Sequence, residues 1–225
     1  MKIIGHRGAA EEWPENTLKG FVNAIESGVN ALEIDIHKSS DNQLMVIHDP
    51  TLERTTNGNG FVAQQDSAYL RTLDAGQGEK IPFLHEVLDL ILERKVHLFI
   101  EVKAGGLENE LVRLIQQKNA YDFCTVICFN HFLLKQIKAL DPKITTGCLL
   151  VGTPIDIVRM VKDAHAEYLI LNIYTTVEEV VTQCRRANIQ TAIWTANTEA
   201  ELNMLKALSP DFVMTDKPSL IVPLA

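Results

Sequence analysis

Short runs of aliphatic and β-branched residues alternate along the chain with longer amphipathic stretches. Parallel strands need a crossover connection, which a helix usually provides, so this alternation is typical of a parallel sheet built from βαβ units. Eight such runs indicate eight strands, and eight βα units predict an α/β fold of the (β/α)₈ TIM barrel type. The predicted strands are Lys2–Gly8, Ala31–His37, His97–Lys103, Cys124–Phe129, Ile144–Val151, Tyr168–Ile173, Ile189–Thr195 and Phe212–Asp216.

Helical periodicity accounts for the stretches between these strands. Thr198 precedes the last of them and Glu201 follows three residues later, which is the pattern of a capping box. One barrel can use all 225 residues, so residues 1–225 are predicted to form a single domain. The predicted helices include Glu15–Ser27, a helix near Leu84–Arg94, Leu107–Lys118, Ile155–Ala164, Val177–Ala187 and Glu199–Leu208.

One segment after the second strand breaks the alternation. Asp41-Asn42 indicates a turn, and Gln43–His48 indicates an extra strand paired back onto the second one. A polar stretch follows, with no Pro/Ser/Gly-rich linker around it. We therefore interpret Asp49–Pro82, here called the rim insertion, as a small insertion on the barrel rim rather than a second domain.

Charge and the start of the chain limit the classes of partner. The formal net charge of −8 argues against nucleic acid or an anionic membrane as the main partner and favours a small-molecule substrate. Polar Gly5-His6-Arg7 comes too early for the apolar core of a signal peptide, and no run approaches a membrane span in length. The four cysteines show no CxxC or zinc spacing, so we expect reduced, buried thiols in a cytoplasmic protein.

Polar side chains gather where the predicted strands end, which in an eightfold barrel is the face that carries the active site. In the second strand the period of two places Glu33, Asp35 and His37 on one face, with aliphatic residues on the other. Glu101 and Lys103 follow the same alternation in the third strand. Three carboxylates therefore point into a barrel interior, where unpaired charge is very costly.

Two explanations fit these acids. Glu33, Asp35 and Glu101 offer an all-oxygen set of ligands for one divalent cation, which suits Mg²⁺ or Ca²⁺ better than zinc, with Mn²⁺ as a third candidate. Alternatively, they pair with Arg7 and Lys103 in a structural salt network. The strand pattern alone favours neither explanation.

His6 and His48 are predicted to lie beside this acidic group. Histidine exchanges protons near neutral pH, and phosphodiester cleavage needs one group that deprotonates the nucleophile and one that protonates the leaving alkoxide. Either histidine alone is more often a hydrogen-bonded structural residue. Their placement next to three acids predicts a metal-dependent phosphodiesterase with His6 and His48 as paired acid–base groups.

An ordered set of short motifs spans nearly the whole chain. It resembles the signature of the glycerophosphodiester phosphodiesterase family, in the compact form of its cytoplasmic bacterial members. Each motif alone is weak, but the ordered set is highly specific. The motifs are His6-Arg7-Gly8, Pro14-Glu15-Asn16-Thr17, Glu33-Ile34-Asp35, His48-Asp49, Leu52-Glu53-Arg54-Thr55-Thr56, Ile81-Pro82, Glu101-Val102-Lys103, Trp194-Thr195-Ala196-Asn197 and Thr215-Asp216-Lys217-Pro218.

The resemblance implies hydrolysis of deacylated phospholipids to glycerol 3-phosphate and an alcohol. It implies that the three acids hold the metal and that the two histidines act as acid and base. The matches of Arg7 and Lys103 bind the phosphate and stabilise its developing charge, and the rim insertion helps to form the glycerol pocket. Cys128 departs from the family pattern, which usually has serine there, and we expect a buried apolar residue rather than a reactive thiol.

Several supporting roles stay open at this point. Glu15 and Asn16 are predicted in the loop near His6, as neighbours of the metal site, although Asn16 could equally cap a helix. Asp49 either orients a histidine or closes a turn. Trp194 either walls the substrate pocket or fills the core.

The sequence is also compatible with two other functions. A related barrel phosphodiesterase could prefer a lipid or lysolipid, and the lack of membrane-anchoring features makes this the second choice. A non-catalytic binding barrel is the alternative from another class. Loss of either histidine or of any of the three acids would favour the binding barrel, and all five are present.

Overall fold

Eight parallel strands close into a barrel in the computed structural model, which describes all 225 residues. β1 pairs with both β2 and β9, so the first and last barrel strands are neighbours. The structure confirms the predicted (β/α)₈ barrel. The strands are β1 (Lys2–Gly5), β2 (Ala31–Lys38), β3 (Leu44–Val46), β4 (His97–Val102), β5 (Cys124–Cys128), β6 (Thr145–Leu150), β7 (Tyr168–Asn172), β8 (Gln190–Trp194) and β9 (Phe212–Thr215).

A helix follows each barrel strand before the next one begins, except that β9 is followed by the last helix of the chain. Thr198 and Glu201 form the predicted capping box. None of the helices combines the length and the apolarity that crossing a bilayer requires. The helices are α1 (Leu18–Glu26), α2 (Ser67–Leu70), α3 (Leu84–Arg94), α4 (Glu108–Lys118), α5 (His131–Leu140), α6 (Ile157–Asp163), α7 (Glu178–Arg186), α8 (Glu199–Leu208) and α9 (Pro218–Ile221).

Alternate residues of the strands build two apolar layers. Inward-facing residues such as Ile4, Phe99 and Phe212 fill the lower barrel, where the rings of Phe99 and Phe212 meet edge to face at 5.5 Å. Residues of the opposite parity, such as Ile34 and Ile100, pack against the helices in a larger cluster. The barrel is therefore a packed core at its lower end, and the charged groups that line its pocket lie toward the other end.

The predicted extra strand is β3, which runs antiparallel to β2 with Ile36 opposite Val46. The rim insertion follows it and includes α2. Together with two residues at the end of the hairpin, the rim insertion buries a small apolar cluster of its own, separate from the barrel layers. The cluster consists of Met45, Ile47, Leu52, Val62, Leu70, Leu73, Ala75 and Ile81.

The first strand is shorter than predicted, since it ends at Gly5 rather than Gly8. Arg7 and Gly8 adopt positive φ angles of 48° and 87°, which no extended strand allows. A Cβ atom on Gly8 would also lie 2.9 Å from the ring of Phe21, so only glycine fits there. The turn lifts His6 and Arg7 out of the strand direction and onto the rim.

The first helix also begins later than predicted. Thr17 is its N-cap, because the Thr17 hydroxyl accepts a hydrogen bond from the Gly20 amide at 3.1 Å. Glu15 and Asn16 therefore belong to the preceding loop, and Asn16 has a positive φ of 56°. The helix α5 connects the fourth and fifth barrel strands and begins at His131.

Candidate active site

One pocket opens at the carboxyl ends of the barrel strands and has two unlike sides. Charged and titratable residues from β1, β2, β3 and β4 or the loops after them form one side. Apolar and aromatic residues from β5, β6, β8 and β9 form the other. The lining residues are His6, Arg7, Glu33, His48, Glu101 and Lys103 on the first side and Ile127, Phe129, Leu149, Trp194 and Met214 on the second.

The three predicted acids meet inside the barrel mouth. Asp35 on β2 stands opposite Glu101 on β4 in the sheet register, and Glu33 lies one inward position below Asp35. One carboxylate oxygen from each lies within 4.8 Å of those of the other two. All three residues are buried. Their oxygens could hold a metal ion between them.

The cationic side chains around these acids do not neutralise all three carboxylates. Lys103 Nζ lies 2.7 Å from Glu101 Oε1 and 3.4 Å from Asp35 Oδ1, and Arg7 Nε lies 3.5 Å from Asp35 Oδ2. Burial, followed by the charge of Asp35, raises the pKa of Glu33 to about 8. Lys103 and Arg7 thus pair with Glu101 and Asp35, whereas Glu33 has only the His6 ring as a charge partner, at 3.9 Å. A divalent cation would supply the missing charge, so the donor set fits one.

Buried polar atoms without a hydrogen-bond partner concentrate at this pocket. Only four such side-chain atoms occur in the structure, and three belong to this region: Asp35 Oδ1, Arg7 Nε and Trp194 Nε1. A buried polar atom without a partner is unfavourable by about 1–3 kcal/mol. These three atoms are the ones that a cation and an anionic ligand in the pocket would satisfy.

His6 is held by a carboxylate behind it. Its Nδ1 donates to Asp216 Oδ1 at 2.6 Å, while its Nε2 lies 3.9 Å from Glu33 Oε2. Because an ionised carboxylate only accepts hydrogen bonds, Nδ1 carries the proton and Nε2 faces the pocket. Burial lowers the pKa of His6, but Asp216 and Glu33 outweigh it, so the pKa lies above its usual value.

His48 has the same arrangement on the other side. Its Nδ1 donates to Asp49 Oδ1 at 2.5 Å. Burial lowers the pKa of His48, and the carboxylates of Asp35 and Asp49 only partly counter this. His37 does not line the pocket, but its Nε2 donates to the carbonyl oxygen of His48 at 3.0 Å.

Asn16 and Glu15 support the site from the first loop. Asn16 Nδ2 donates to Asp35 Oδ2 at 2.9 Å, and Asn16 Oδ1 accepts from the Asp35 amide at 3.2 Å. Asn16 therefore fixes Asp35 and does not cap the helix, where Thr17 does so. Glu15 accepts from Arg7 Nη1 at 3.2 Å and from Arg54 of the rim insertion.

The apolar wall contains Trp194 and Phe129, whose rings meet nearly at right angles with centroids 6.2 Å apart. Trp194 therefore lines the pocket. Cys128 lies behind this wall and is buried, as are the other three free cysteines. Burial raises the pKa of the Cys128 thiol to about 11, so the thiol stays protonated and unreactive.

Three residues that the sequence motifs contain without an assigned role also contact the site: Asp216, Asn197 and Arg54. Asn197 Nδ2 donates to Asp216 Oδ2 at 2.6 Å and so holds the partner of His6. The contact between Asp216 and His6 could have been predicted from the strand order. Asp216 directly follows the last strand, and His6 directly follows the first. Barrel closure makes those two positions neighbours, and Gly5 is indeed paired with Thr215.

Comparison with known proteins gives consistent results. A glycerophosphodiester phosphodiesterase of Caldanaerobacter subterraneus subsp. tengcongensis is 31% identical over 98% of this chain and 96% of its own length. A mouse lysophospholipase D is 27% identical over 96% of this chain and 83% of its own. The structure of an Oleispira antarctica phosphodiesterase in complex with the product sn-glycerol-3-phosphate matches with a TM-score of 0.93 and 29% identity, over 100% of this chain and 96% of that one. The sequence profile of the glycerophosphoryl diester phosphodiesterase family matches residues 6–220, so the chain belongs to that family.

Proposed function

We propose that the protein hydrolyses glycerophosphodiesters, such as glycerophosphocholine or glycerophosphoethanolamine, to sn-glycerol 3-phosphate and an alcohol. One observation carries the proposal: two histidines, each backed by a carboxylate, border the same pocket as a buried triad of acids. The activity named for the Caldanaerobacter relative supports it, and so does the product bound in the Oleispira structure.

Glu33, Asp35 and Glu101 are the residues that would hold a divalent cation. Their donors are all oxygens, which favours Mg²⁺ or Ca²⁺, with Mn²⁺ as a further candidate. When bound, such a cation polarises a phosphoryl oxygen and neutralises charge there. Asn16 keeps the Asp35 carboxylate in place through two hydrogen bonds, so the set is held from behind.

Arg7 and Lys103 bind and orient the phosphate. Both line the pocket, and the burial of their surroundings strengthens their attraction for an anion. Glu15 restrains one end of the Arg7 guanidinium, while Arg7 Nε has no hydrogen-bond partner within the chain. These cations stabilise the additional negative charge that develops on the phosphoryl oxygens during the reaction.

His6 and His48 move the protons. In each ring Nδ1 is occupied by a carboxylate, so only Nε2 is free to exchange a proton with the substrate. One histidine deprotonates the nucleophile and the other protonates the leaving oxygen. Asp216 and Asp49 fix the tautomer and the ring orientation, which keeps both Nε2 atoms directed at the same phosphodiester.

The test is a matrix of substrates and metals. Purified protein is incubated with glycerophosphocholine or glycerophosphoethanolamine in the presence of Mg²⁺, Ca²⁺ or Mn²⁺, and glycerol 3-phosphate is measured. We expect release with at least one of the metals. Absence of turnover under all combinations would contradict the proposal and favour a non-catalytic binding barrel.

A second candidate substrate, a lysophospholipid, is favoured by one surface. The loops after β5, β6 and β7 carry a single charged residue, Asp156, before the next helix, and these loops and the start of α5 expose large apolar side chains. Phe132, Ile155 and Tyr174 are 79%, 96% and 80% exposed, and Phe129 joins this surface to the pocket wall. A substrate with one acyl chain has matching polarity, and one relative is named a lysophospholipase D.

The two substrates are distinguished by paired variants. Replacing Phe132 and Ile155 together by serine should lower kcat/KM for lysophosphatidylcholine and leave that for glycerophosphocholine unchanged. Leu140→Ser is the matched control, because Leu140 is an exposed apolar residue at the far end of α5. Equal effects on both substrates would exclude a role for this surface in binding an acyl chain.

A further inference from the structure

Arg54 lies in the rim insertion outside the pocket, and its guanidinium contacts two carboxylates at once. Nε and Nη2 donate to the oxygens of Asp49 at 2.6 and 3.0 Å. Nη1 and Nη2 donate to the oxygens of Glu15 at 2.8 Å each. Each carboxylate therefore receives a two-pronged hydrogen bond, and one side chain supplies both pairs.

These two carboxylates hold different parts of the site. Asp49 accepts from Nδ1 of His48 at 2.5 Å, and Glu15 accepts from Nη1 of Arg7 at 3.2 Å. A chain of contacts with alternating charge thus runs from His48 through Asp49, Arg54 and Glu15 to Arg7. It connects a group proposed to move a proton with a group proposed to bind the phosphate.

We infer that Arg54 is a positioning residue that sets His48 and Arg7 relative to one another, an inference that rests on the proposed function. Asp49 and His48 follow the β3 hairpin, whereas Glu15 and Arg7 belong to the loop after β1. No backbone element connects these two segments locally, and Arg54 spans them across 39 residues of sequence to Glu15. The rim insertion thereby contributes to the geometry of catalysis through a residue that does not line the pocket.

Stability alone does not explain this arrangement. The Arg54 side chain is 47% exposed, and ion pairs that are open to water contribute little to folding. The planar guanidinium, by contrast, fits two carboxylates along two of its edges, which a lysine ammonium cannot do. The hydrogen bonds of Arg54 to Asp49 and Glu15 therefore contribute little to folding stability, and their effect is to orient His48 and Arg7.

Arg54→Gln and Arg54→Lys test this role against Arg71→Gln. Arg71 is the matched control, since it also lies in the rim insertion and pairs with a glutamate, Glu86, but outside the site. Both Arg54 variants should lower kcat about ten- to a hundredfold, with Tm and Mn²⁺ binding close to wild type. The control should keep its kcat. A wild-type kcat in Arg54→Gln would overturn the inference.

Chemical rescue separates positioning from general damage. Because Arg54 is accessible to solvent, guanidinium ion added at non-denaturing concentration should restore part of the activity of Arg54→Ala. Methylammonium should not restore it, since its donors are not coplanar. Equal rescue by both ions, or rescue by neither, would contradict the proposal that Arg54 acts through two-pronged hydrogen bonds to Asp49 and Glu15.

A measurement without substrate tests the inference separately from the proposed function. The hydrogen-bonded Nδ1 proton of His48 should give a downfield proton NMR signal, assigned by its loss in His48→Ala. In Arg54→Gln that signal should broaden or shift upfield, while Arg71→Gln leaves it unchanged. An unaltered signal in Arg54→Gln would refute the positioning role even if the wild-type protein proved inactive toward glycerophosphodiesters.

Discussion

Asp216 lies directly behind His6, with its Oδ1 2.6 Å from the ring Nδ1. The two residues are 210 positions apart in the sequence and become neighbours because β9 closes the barrel against β1. Asn197 fixes the other oxygen of the same carboxylate. The first and last strands together thus build one half of the proposed proton-transfer pair.

The first prediction concerns this contact and pH. Burial lowers the pKa of His6 and Asp216 is the largest influence that raises it, so Asp216→Asn should lower that pKa. The limb of the pH–rate profile governed by His6 should move toward lower pH, and kcat should fall about ten- to a hundredfold. The profile of kcat/KM between pH 5 and 9 is the measurement. An unmoved profile would show that Asp216 does not tune His6.

A second prediction separates proton transfer from metal binding. His6→Ala and His48→Ala should each lower kcat by about 10²- to 10⁴-fold, the usual contribution of a general acid or base. Calorimetric titration with Mn²⁺ should give nearly wild-type affinity in both variants. If either variant retains near-normal turnover, the role assigned to that histidine is wrong.

The acids should show the opposite pattern. Glu33→Gln, Asp35→Asn and Glu101→Gln each remove one charged oxygen donor from the buried set. Each should weaken Mn²⁺ binding in the same titration, and activity should fall in parallel. Glu110→Gln, an exchange in α4 away from the pocket, serves as the control. Unchanged affinity in all three variants would favour the alternative of a structural salt network.

Much of this site is predictable from the strand pattern. The period of two places Glu33, Asp35 and Glu101 on the inward face, and the register opposing Asp35 to Glu101 brings them together. That reasoning is local, because it needs only the alternation within a strand and the position of its carboxyl end. Placement beside these acids also indicates His6 and His48, and the family resemblance implies the same two roles.

The remaining residues depend on contacts that no local pattern encodes. Arg54 reaches Glu15 only because the irregular rim insertion folds back over the first loop. Asn16 fits the pattern of a helix cap, yet a positive φ turns it toward Asp35 and leaves the cap to Thr17. The predicted end of β1 at Gly8 is wrong because it also depends on a distant contact. The turn at Arg7 and Gly8 is fixed by packing against α1.

A fourth prediction concerns folding stability away from the site. Hydrogen bonds from Ser39 and Ser67 lower the pKa of Asp41 to about 2. A depressed pKa means that the ionised carboxylate stabilises the folded state above the unfolded pKa of about 3.9, and that this contribution is lost as the pH falls toward 2. The deficit of Asp41→Asn in unfolding free energy should therefore be full at pH 7 and shrink below pH 4. Urea unfolding at several pH values checks this, and a deficit independent of pH would contradict it.

The central claim is that the buried acids hold a cation without which the histidines and the phosphate-binding cations do not hydrolyse the substrate. The most direct measurement is the initial rate of glycerol 3-phosphate release from glycerophosphocholine after removal of divalent metal with a chelator and titration back with Mg²⁺, Ca²⁺ or Mn²⁺. We expect a rate near zero after chelation and saturable recovery with at least one of these metals. A rate that chelation leaves unchanged would contradict the claim that a bound cation is required.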